Sequence, residues 1–204
     1  MTKSTQMTRI FDVLLSFLWL IILLPIFLII AILIICTSKG AIFYTQKRVG
    51  KNNKDFTLFK FRTMRVNADK SGLLTVGTND TRITKTGFFL RKYKLDELPQ
   101  LFNVLIGDMS LVGPRPEVRK YVDFYNDEQK YVLTVRPGIT DYASIEFRDE
   151  NKILAQFDNP EKHYVEVIMP QKIQLNLRYI DNRCLKEYFR VLFLTGKAIF
   201  LARR

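Results

Sequence analysis

The chain opens on an apolar run. Between Ile10 and Cys36 only Asp12, Ser16 and Pro25 interrupt it. The run exceeds the roughly 20 residues needed to span hydrocarbon. No small-x-small cleavage site follows, so it is expected to stay in lipid. Pro25 cannot donate a helical hydrogen bond, which predicts a kink or break near the middle. Next, IFYTQKRVG and DFTLFKFRTM alternate apolar and polar positions, as strands do, with KNN as the turn of a hairpin. Residues 67–81 read as a polar, mobile loop. Thr84 to Leu105 reads as partly helical, with Gly87 near its start and Pro99 interrupting it. Val118, Tyr121, Val122 and Tyr125 have helical spacing and predict a helix over 117–132; a further helix is predicted over 161–180. Pro114, Pro116 and Pro137-Gly138 mark fixed turns.

Near the end, Leu185, Phe189, Leu192 and Phe193 share a helical face that Ile199 and Phe200 continue. Lys186, Arg190, Lys197, Arg203 and Arg204 surround it. This composition suits a helix lying among lipid headgroups, and equally one packed on the protein's own core. The expected fold is α+β and mostly α: a membrane helix over 1–38, then a domain over 39–204 with a short β-hairpin and amphipathic helices. There is no βαβ alternation, GxGxxG or GxxxxGKS, which argues against a doubly wound nucleotide fold.

Charge sharpens this picture. With 32 basic and 20 acidic residues the formal net charge is +12, which calls for a polyanionic partner: nucleic acid, an anionic membrane face or phosphorylated substrates. Lys3 and Arg9 precede the apolar run, and Lys39, Lys47, Arg48, Lys51 and Lys54 follow it. Basic flanks mark the cytoplasmic side, and here both ends are marked. A hairpin that enters the bilayer, bends at Pro25 and leaves by the same face satisfies both; a tilted helix with a proline kink is the simpler alternative. Cys36 and Cys184 match no metal-ligand spacing and read as reduced thiols in a cytoplasmic setting. His163 is the sole histidine, which leaves little material for a histidine triad or a zinc site.

The chemistry concentrates in KLDELPQLFNVLIGDMSLVGPRPE, residues 94–117. Adjacent helical carboxylates point about 100° apart, so Asp96 and Glu97 would serve different roles. An aspartate among Arg and Lys stays ionised. It can attack phosphorus or hold a magnesium ion that neutralises a diphosphate. Arg115, between Pro114 and Pro116, presents a guanidinium fork suited to phosphate. Taken singly, these residues are also explained by helix capping and helix ending.

In combination they are more specific. QKRVG (46–50), FKFRTM (59–64), GFFLRKYKLDELPQLFNVLIGDMSLVGPRPE (87–117) and VRPGIT (135–140) resemble, in order and spacing, the bacterial sugar transferases: small monotopic polyprenyl-phosphate phosphoglycosyl transferases. The resemblance covers essentially the whole chain. It implies transfer of a sugar-1-phosphate from a UDP-sugar to undecaprenyl phosphate, with release of UMP. Asp96 would be the nucleophile that forms a covalent phosphosugar-enzyme, and Glu97 would assist it. Mg2+ would be required, with Asp96 its ligand. Arg91, Arg115 and Arg148 would bind phosphate; Lys60 and Arg62 lie in a further family block near the site. Such proteins carry a re-entrant helix-break-helix, here broken at Pro25, with the catalytic domain on the cytoplasmic face of the bacterial inner membrane. The partners expected are UDP-sugar, undecaprenyl phosphate and the phospholipid bilayer, without nucleic acid; a homodimer stays open. The product would start a surface glycan such as a capsule, exopolysaccharide, lipopolysaccharide O-antigen or protein glycan.

The chain departs from the pattern where Leu24 precedes Pro25, and where DYASIEFRDE (141–150) stands in place of the usual G-W-A-Q-V-N-G-R-N, keeping only Arg148. The second departure points to a different sugar preference. Two other functions compete: a non-catalytic membrane-anchored scaffold or binding protein of a polysaccharide assembly complex, and a transferase that moves only the sugar and releases UDP.

Overall fold

The computed structural model describes residues 3–66, 68 and 80–201. Most of the predicted 67–81 loop lies outside these residues. So do Arg203, Arg204 and the side chains of Lys3 and Phe200. Helix α1 runs from Lys3 to Thr37 with Pro25 inside it. The expected break at Pro25 is therefore not a break: proline removes one backbone donor, and the helix continues through it. From Gln6 to Thr37 α1 is long and apolar enough to cross a membrane.

One stripe of α1 faces the domain. Thr8, Asp12 and Ser16 are buried, Leu20 and Leu23 are half-buried, and Phe27, Ile30 and Ile34 are buried. Steps of three and four keep these positions on one helical face. The opposite face leaves Phe17, Leu18, Ile21, Leu28, Ile29 and Ile32 exposed.

Both ends of α1 are tied to the same body. At its start, Arg9 donates to the carbonyls of Val104 (2.6 Å) and Leu105 (3.0 Å). Asp12 Oδ1 accepts from Ser110 Oγ (3.0 Å), the Leu111 amide (2.9 Å) and Tyr188 Oη (2.8 Å). At its end, Thr86 Oγ1 donates to Thr37 Oγ1 at 2.9 Å. Arg62 donates to the Ser38 carbonyl (2.8 Å) and the Lys39 carbonyl (2.6 Å).

The predicted hairpin is present: β1, Phe43–Val49, pairs antiparallel with β2, Asp55–Phe61, from Phe43↔Phe61 to Val49↔Asp55. Its turn uses Asn52 and Asn53 at φ 57° and 60°, a left-handed conformation that asparagine tolerates. A bridge between Met64 and Ile83 closes the base of the following loop. Helix α2, Lys85–Lys92, starts where Thr84 Oγ1 caps the Gly87 amide. A short 3₁₀ turn, Leu95–Glu97, leads to α3, Gln100–Ile106.

Two three-residue strands that the sequence pattern did not announce pair in parallel: β3, Ser110–Val112, and β4, Gly138–Thr140. Between them lies α4, Arg119–Val122, and a 3₁₀ stretch, Gln129–Thr134. The continuous helix expected over 117–132 is thus corrected to one turn. Asn126 and Gln129 exchange side chain-to-backbone hydrogen bonds (2.8 and 3.0 Å) and restart the chain there. Asparagine side chains compete with helix in this way. The periodic residues Val118, Tyr121, Val122 and Tyr125 are nonetheless all buried.

The remaining helices are α5 (Tyr142–Glu146), α6 (Glu150–Leu154), α7 (Pro160–His163), α8 (Met169–Asp181) and α9 (Leu185–Leu201). A π-helical turn, Tyr164–Ile168, joins α7 to α8, so the helix predicted over 161–180 exists with a wider turn ahead of Pro170. In α9 the core takes Tyr188 and Val191, while Phe189, Phe193 and Ile199 point outward. The inner face thus packs on the protein's own core, and the outer face leaves large apolar side chains exposed. Phe189 packs edge-on against Phe11, and Phe102 of α3 does so against Phe27. The exposed apolar face of α1 thereby continues onto the domain.

Removing the Asp12 carboxylate strands three buried donors at once. Asp12→Ala is expected to cost on the order of 3 kcal/mol, whereas truncating exposed Leu14 is expected to cost little. Thermal unfolding of both variants in one detergent tests this; equal melting temperatures would remove Asp12 from the attachment of α1.

Candidate active-site cleft

A cavity of about 550 Å³ opens beside the hairpin. Its wall includes Lys60, Arg62, Arg91, Lys94, Asp96, Glu97, Pro114, Arg115 and Arg148, so most of the predicted site residues meet here. Pro116 supports the cleft from behind: its carbonyl accepts from Arg48 at 3.1 Å. Pro25 lies on α1, away from it.

Local structure delivers each group. Gly87 brings α2 so close to β2's exit that a Cβ there would sit 1.9 Å from the Thr63 carbonyl oxygen. That contact places Arg91, whose Nε donates to Thr63 Oγ1 at 2.9 Å. After α2, Lys94 adopts φ 57° and turns the chain, so that Asp96 and Glu97 arrive in the 3₁₀ turn at the cleft wall. Arg115 is carried by the chain leaving β3. There Gly113 and Gly138 pass too close for a side chain: a Cβ on Gly138 would lie 2.1 Å from the Gly113 nitrogen.

The two carboxylates have opposite surroundings. Glu97 is clamped: Lys60 Nζ reaches Oε1 at 2.9 Å, and Arg115 donates to Oε2 at 3.1 Å and also to Oε1. Burial works against the Glu97 charge, but Arg115 and Lys60 outweigh it and hold the carboxyl well below the ordinary carboxylate range. Asp96 is only 7% exposed, and among the described residues no cation closes on it as an ion pair. Burial, and then the neighbouring Glu97 charge, push its carboxyl up, against the pull of Lys60, Arg91 and Lys94. Burial lowers Lys60, with Glu97 opposing.

The fork of Arg115 is thus directed to Glu97, in contrast to the open phosphate fork suggested by its two prolines. Arg62 uses its two terminal nitrogens on the end of α1, which makes it a tie between that helix and the domain, while its Nε stays unpartnered among the described residues at the cavity wall. Exposed Arg148 lines the cleft and donates to the Ala198 carbonyl of α9 at 2.9 Å.

Sequence reasoning missed several residues. Asp141 accepts from the Arg115 amide at 2.9 Å and from the Ser144 amide, so it joins the Pro-Arg-Pro turn to α5. Glu117 receives Arg48 at 3.0 Å and the Tyr164 hydroxyl. Lys172 pairs with Glu150 at 2.7 Å. Met169, Lys172, Ile173 and Asn176 form the α8 face toward the cavity, and the polar members at core spacing were the one available clue.

Fold and cleft together define a class: an α+β domain built along a membrane-compatible helix, with a buried aspartate that forms no ion pair among the described residues, set in a cationic pocket. The chain belongs to the bacterial sugar transferase family, whose model matches residues 3–202. It is 45% identical over 124 residues to a UDP-N-acetylgalactosamine-undecaprenyl-phosphate N-acetylgalactosaminephosphotransferase of Aeromonas hydrophila, covering 59% of this chain and 29% of that protein. It is 39% identical over 190 residues to a UDP-glucose:undecaprenyl-phosphate glucose-1-phosphate transferase of Klebsiella pneumoniae, covering 92% and 38%. It is 33% identical to the exopolysaccharide production protein ExoY of Sinorhizobium fredii, covering 96% and 86%. The chain therefore spans about a third of the first two relatives and most of the third.

An unpaired buried charge is a cost to folding. Folded Asp96 holds its proton more tightly than an unfolded aspartate, whose pKa is about 3.9. The protein accordingly loses stability as pH rises through the raised value, and Asp96→Asn does not. The variant is expected to match the parent in acid and to exceed it at neutral pH. Glu97→Gln is expected to lose about 2 kcal/mol, since Lys60 and Arg115 then share a buried site without an anion. Denaturant unfolding across a pH series measures both; an Asp96→Asn variant less stable at neutral pH would contradict the assignment.

Proposed function

We propose that this chain is a phosphoglycosyl transferase that moves a sugar-1-phosphate from a UDP-sugar to undecaprenyl phosphate. The observation that carries this reading is the asymmetry of the two carboxylates. Both Glu97 oxygens are occupied by cations, so its electron pairs are tied up. Asp96 keeps its oxygens unpaired among the described residues and is the more basic of the two, which makes it the better nucleophile.

An Asp96 oxygen attacks the sugar-bearing phosphorus. The bond from that phosphorus to the bridging oxygen breaks, and UMP leaves with the oxygen and its electron pair. An oxygen of undecaprenyl phosphate then attacks the same phosphorus and returns Asp96 to its carboxylate form. Arg91, Lys94 and Arg148 line the cleft where diphosphate charge must be met. Glu97 keeps Lys60 and Arg115 aligned beside Asp96, and its clamp can shift toward phosphate when substrate brings competing negative charge.

Magnesium fits this donor set as an ion carried by the diphosphate. Among the described residues no three His, Cys, Asp or Glu groups converge on a metal site, and Mg2+ commonly takes one or two carboxylates, with phosphate oxygens and water completing the shell. Asp96 would be the protein ligand. The ion would neutralise diphosphate charge.

Re-entry of α1 is part of the proposal. A straight helix from Arg9 to Thr37 would measure about 42 Å, against about 30 Å of hydrocarbon. Both of its ends bond to one polar domain, and basic residues flank both. These facts support a helix lodged in one leaflet rather than passing through, with the domain on the cytoplasmic face of the inner membrane. There Asp96 meets a soluble donor and a lipid phosphate without drawing the polyprenyl tail into water. A glycan started in this way would be a surface polysaccharide or glycoconjugate.

The decisive assay supplies undecaprenyl phosphate, Mg2+ and a panel of UDP-sugars to the protein in nanodiscs. UMP should appear with the matching donor, and Asp96→Asn should lose at least about 10³-fold in rate. UDP as the nucleotide product would replace this mechanism with simple glycosyl transfer. In kcat/KM against pH, the acid limb should lie above the ordinary aspartate range, since protonating Asp96 removes the nucleophile.

A further inference from the structure

Among the described residues, three buried polar atoms of cavity-lining residues have no partner: Arg62 Nε, whose guanidinium is otherwise bonded to the end of α1, and, on the wall formed by α5 and α8, Ser144 Oγ and Asn176 Oδ1. Asn176 is only 6% exposed. Buried polar atoms in folded proteins are nearly always bonded, and an exception calls for a cause. α5 and α8 pack on each other, and both residues line the same cavity, so an acceptor and a hydroxyl face one space with nothing between them to satisfy them.

Their position is set by Asp141. One oxygen of its carboxylate takes the Arg115 amide and the other takes the Ser144 amide. Ser144 is therefore one carboxylate away from the turn that carries Arg115. The neighbouring charges are already matched: Arg115 by Glu97, and Lys172, one helical turn before Asn176, by Glu150. What remains unsatisfied between α5 and α8 is neutral. Neutral donors and acceptors suit hydroxyl or acetamido groups, whereas phosphate is met by cations.

Building on the reading of the cleft as a nucleotide-sugar site, we propose that Ser144 and Asn176 hydrogen-bond the sugar ring of the donor and select among sugars. They are specificity residues beside the reacting phosphate, separate from the groups that hold the nucleotide. A site built to bond a substrate polar group discriminates strongly against a donor that lacks it, because its own buried atoms are then left unpaired.

The test uses Ser144→Ala and Asn176→Leu in the full chain. UDP-glucose, UDP-galactose, UDP-N-acetylglucosamine and UDP-N-acetylgalactosamine are the donors; UMP and UDP are the sugar-free ligands. The ratio of kcat/KM between the preferred donor and the others is expected to fall at least tenfold. UMP and UDP affinities should change less than twofold, and the melting temperature should hold or rise, because an unpaired buried group has been removed. Unchanged donor ratios would overturn the proposal. So would a parallel loss of UMP affinity, which would assign the pair to the nucleotide, or a lowered melting temperature, which would make it structural. If the parent protein turns over none of these donors, it is the transferase reading that fails. Calorimetric affinities of UDP-sugars relative to UDP, parent against variants, then apply the same criteria to the subsite.

Discussion

The cleft depends on the clamp around Glu97. Lys60 comes from β2, Glu97 from the 3₁₀ turn after α2, and Arg115 from the chain leaving β3. Three segments distant in sequence are joined by one carboxylate, and a buried anion with two cations tolerates no vacancy. The same clamp decides the chemistry next door. With Glu97 neutralised, the residual field of the cleft falls on Asp96, which has no paired cation among the described residues. Asp141 extends the arrangement by holding the Arg115 backbone to α5, which ties the Pro-Arg-Pro turn to the wall carrying Ser144.

A second constraint is the long shared boundary between α1 and the domain. A helix this apolar would normally be independent of the polar body attached to it. Here its buried stripe changes character along its length, from Thr8, Asp12 and Ser16 to Phe27, Ile30 and Ile34. The polar half bonds β3 and α9, and the apolar half packs on Phe61 and Leu90. Asp12 reaches the Leu111 amide only four residues before Arg115, so α1 and the Pro-Arg-Pro turn share a support. An acid retained in an apolar segment commonly marks a function of this kind.

Much of the architecture could be read from pattern. The hairpin followed from alternation around KNN, α2 and α3 from their punctuation by Gly87 and Pro99, and the cleft acids from their adjacency within a basic chain. The helix expected over 117–132 failed although its periodic residues are buried. Periodicity reports which side chains face the core, and a broken chain can present the same side chains. The parallel β3–β4 pair escaped notice because three-residue strands carry almost no alternation; close approach of Gly113 to Gly138 makes them. Arg62 and Arg115 were legible as conspicuous cations, but their partners were not.

The sequence by itself determined that an apolar helix with basic flanks precedes a small mixed domain, and its resemblance to a family implied that Asp96, Glu97 and Arg115 belong together. The first is a property of composition and spacing, which act locally along the chain. Tertiary structure alone decided which of two adjacent carboxylates is neutralised, which arginine bonds the end of α1, and where polar atoms remain unpaired among the described residues. Each of those depends on charges and hydrogen-bonding groups brought together from tens of residues apart, and no local pattern records that distance.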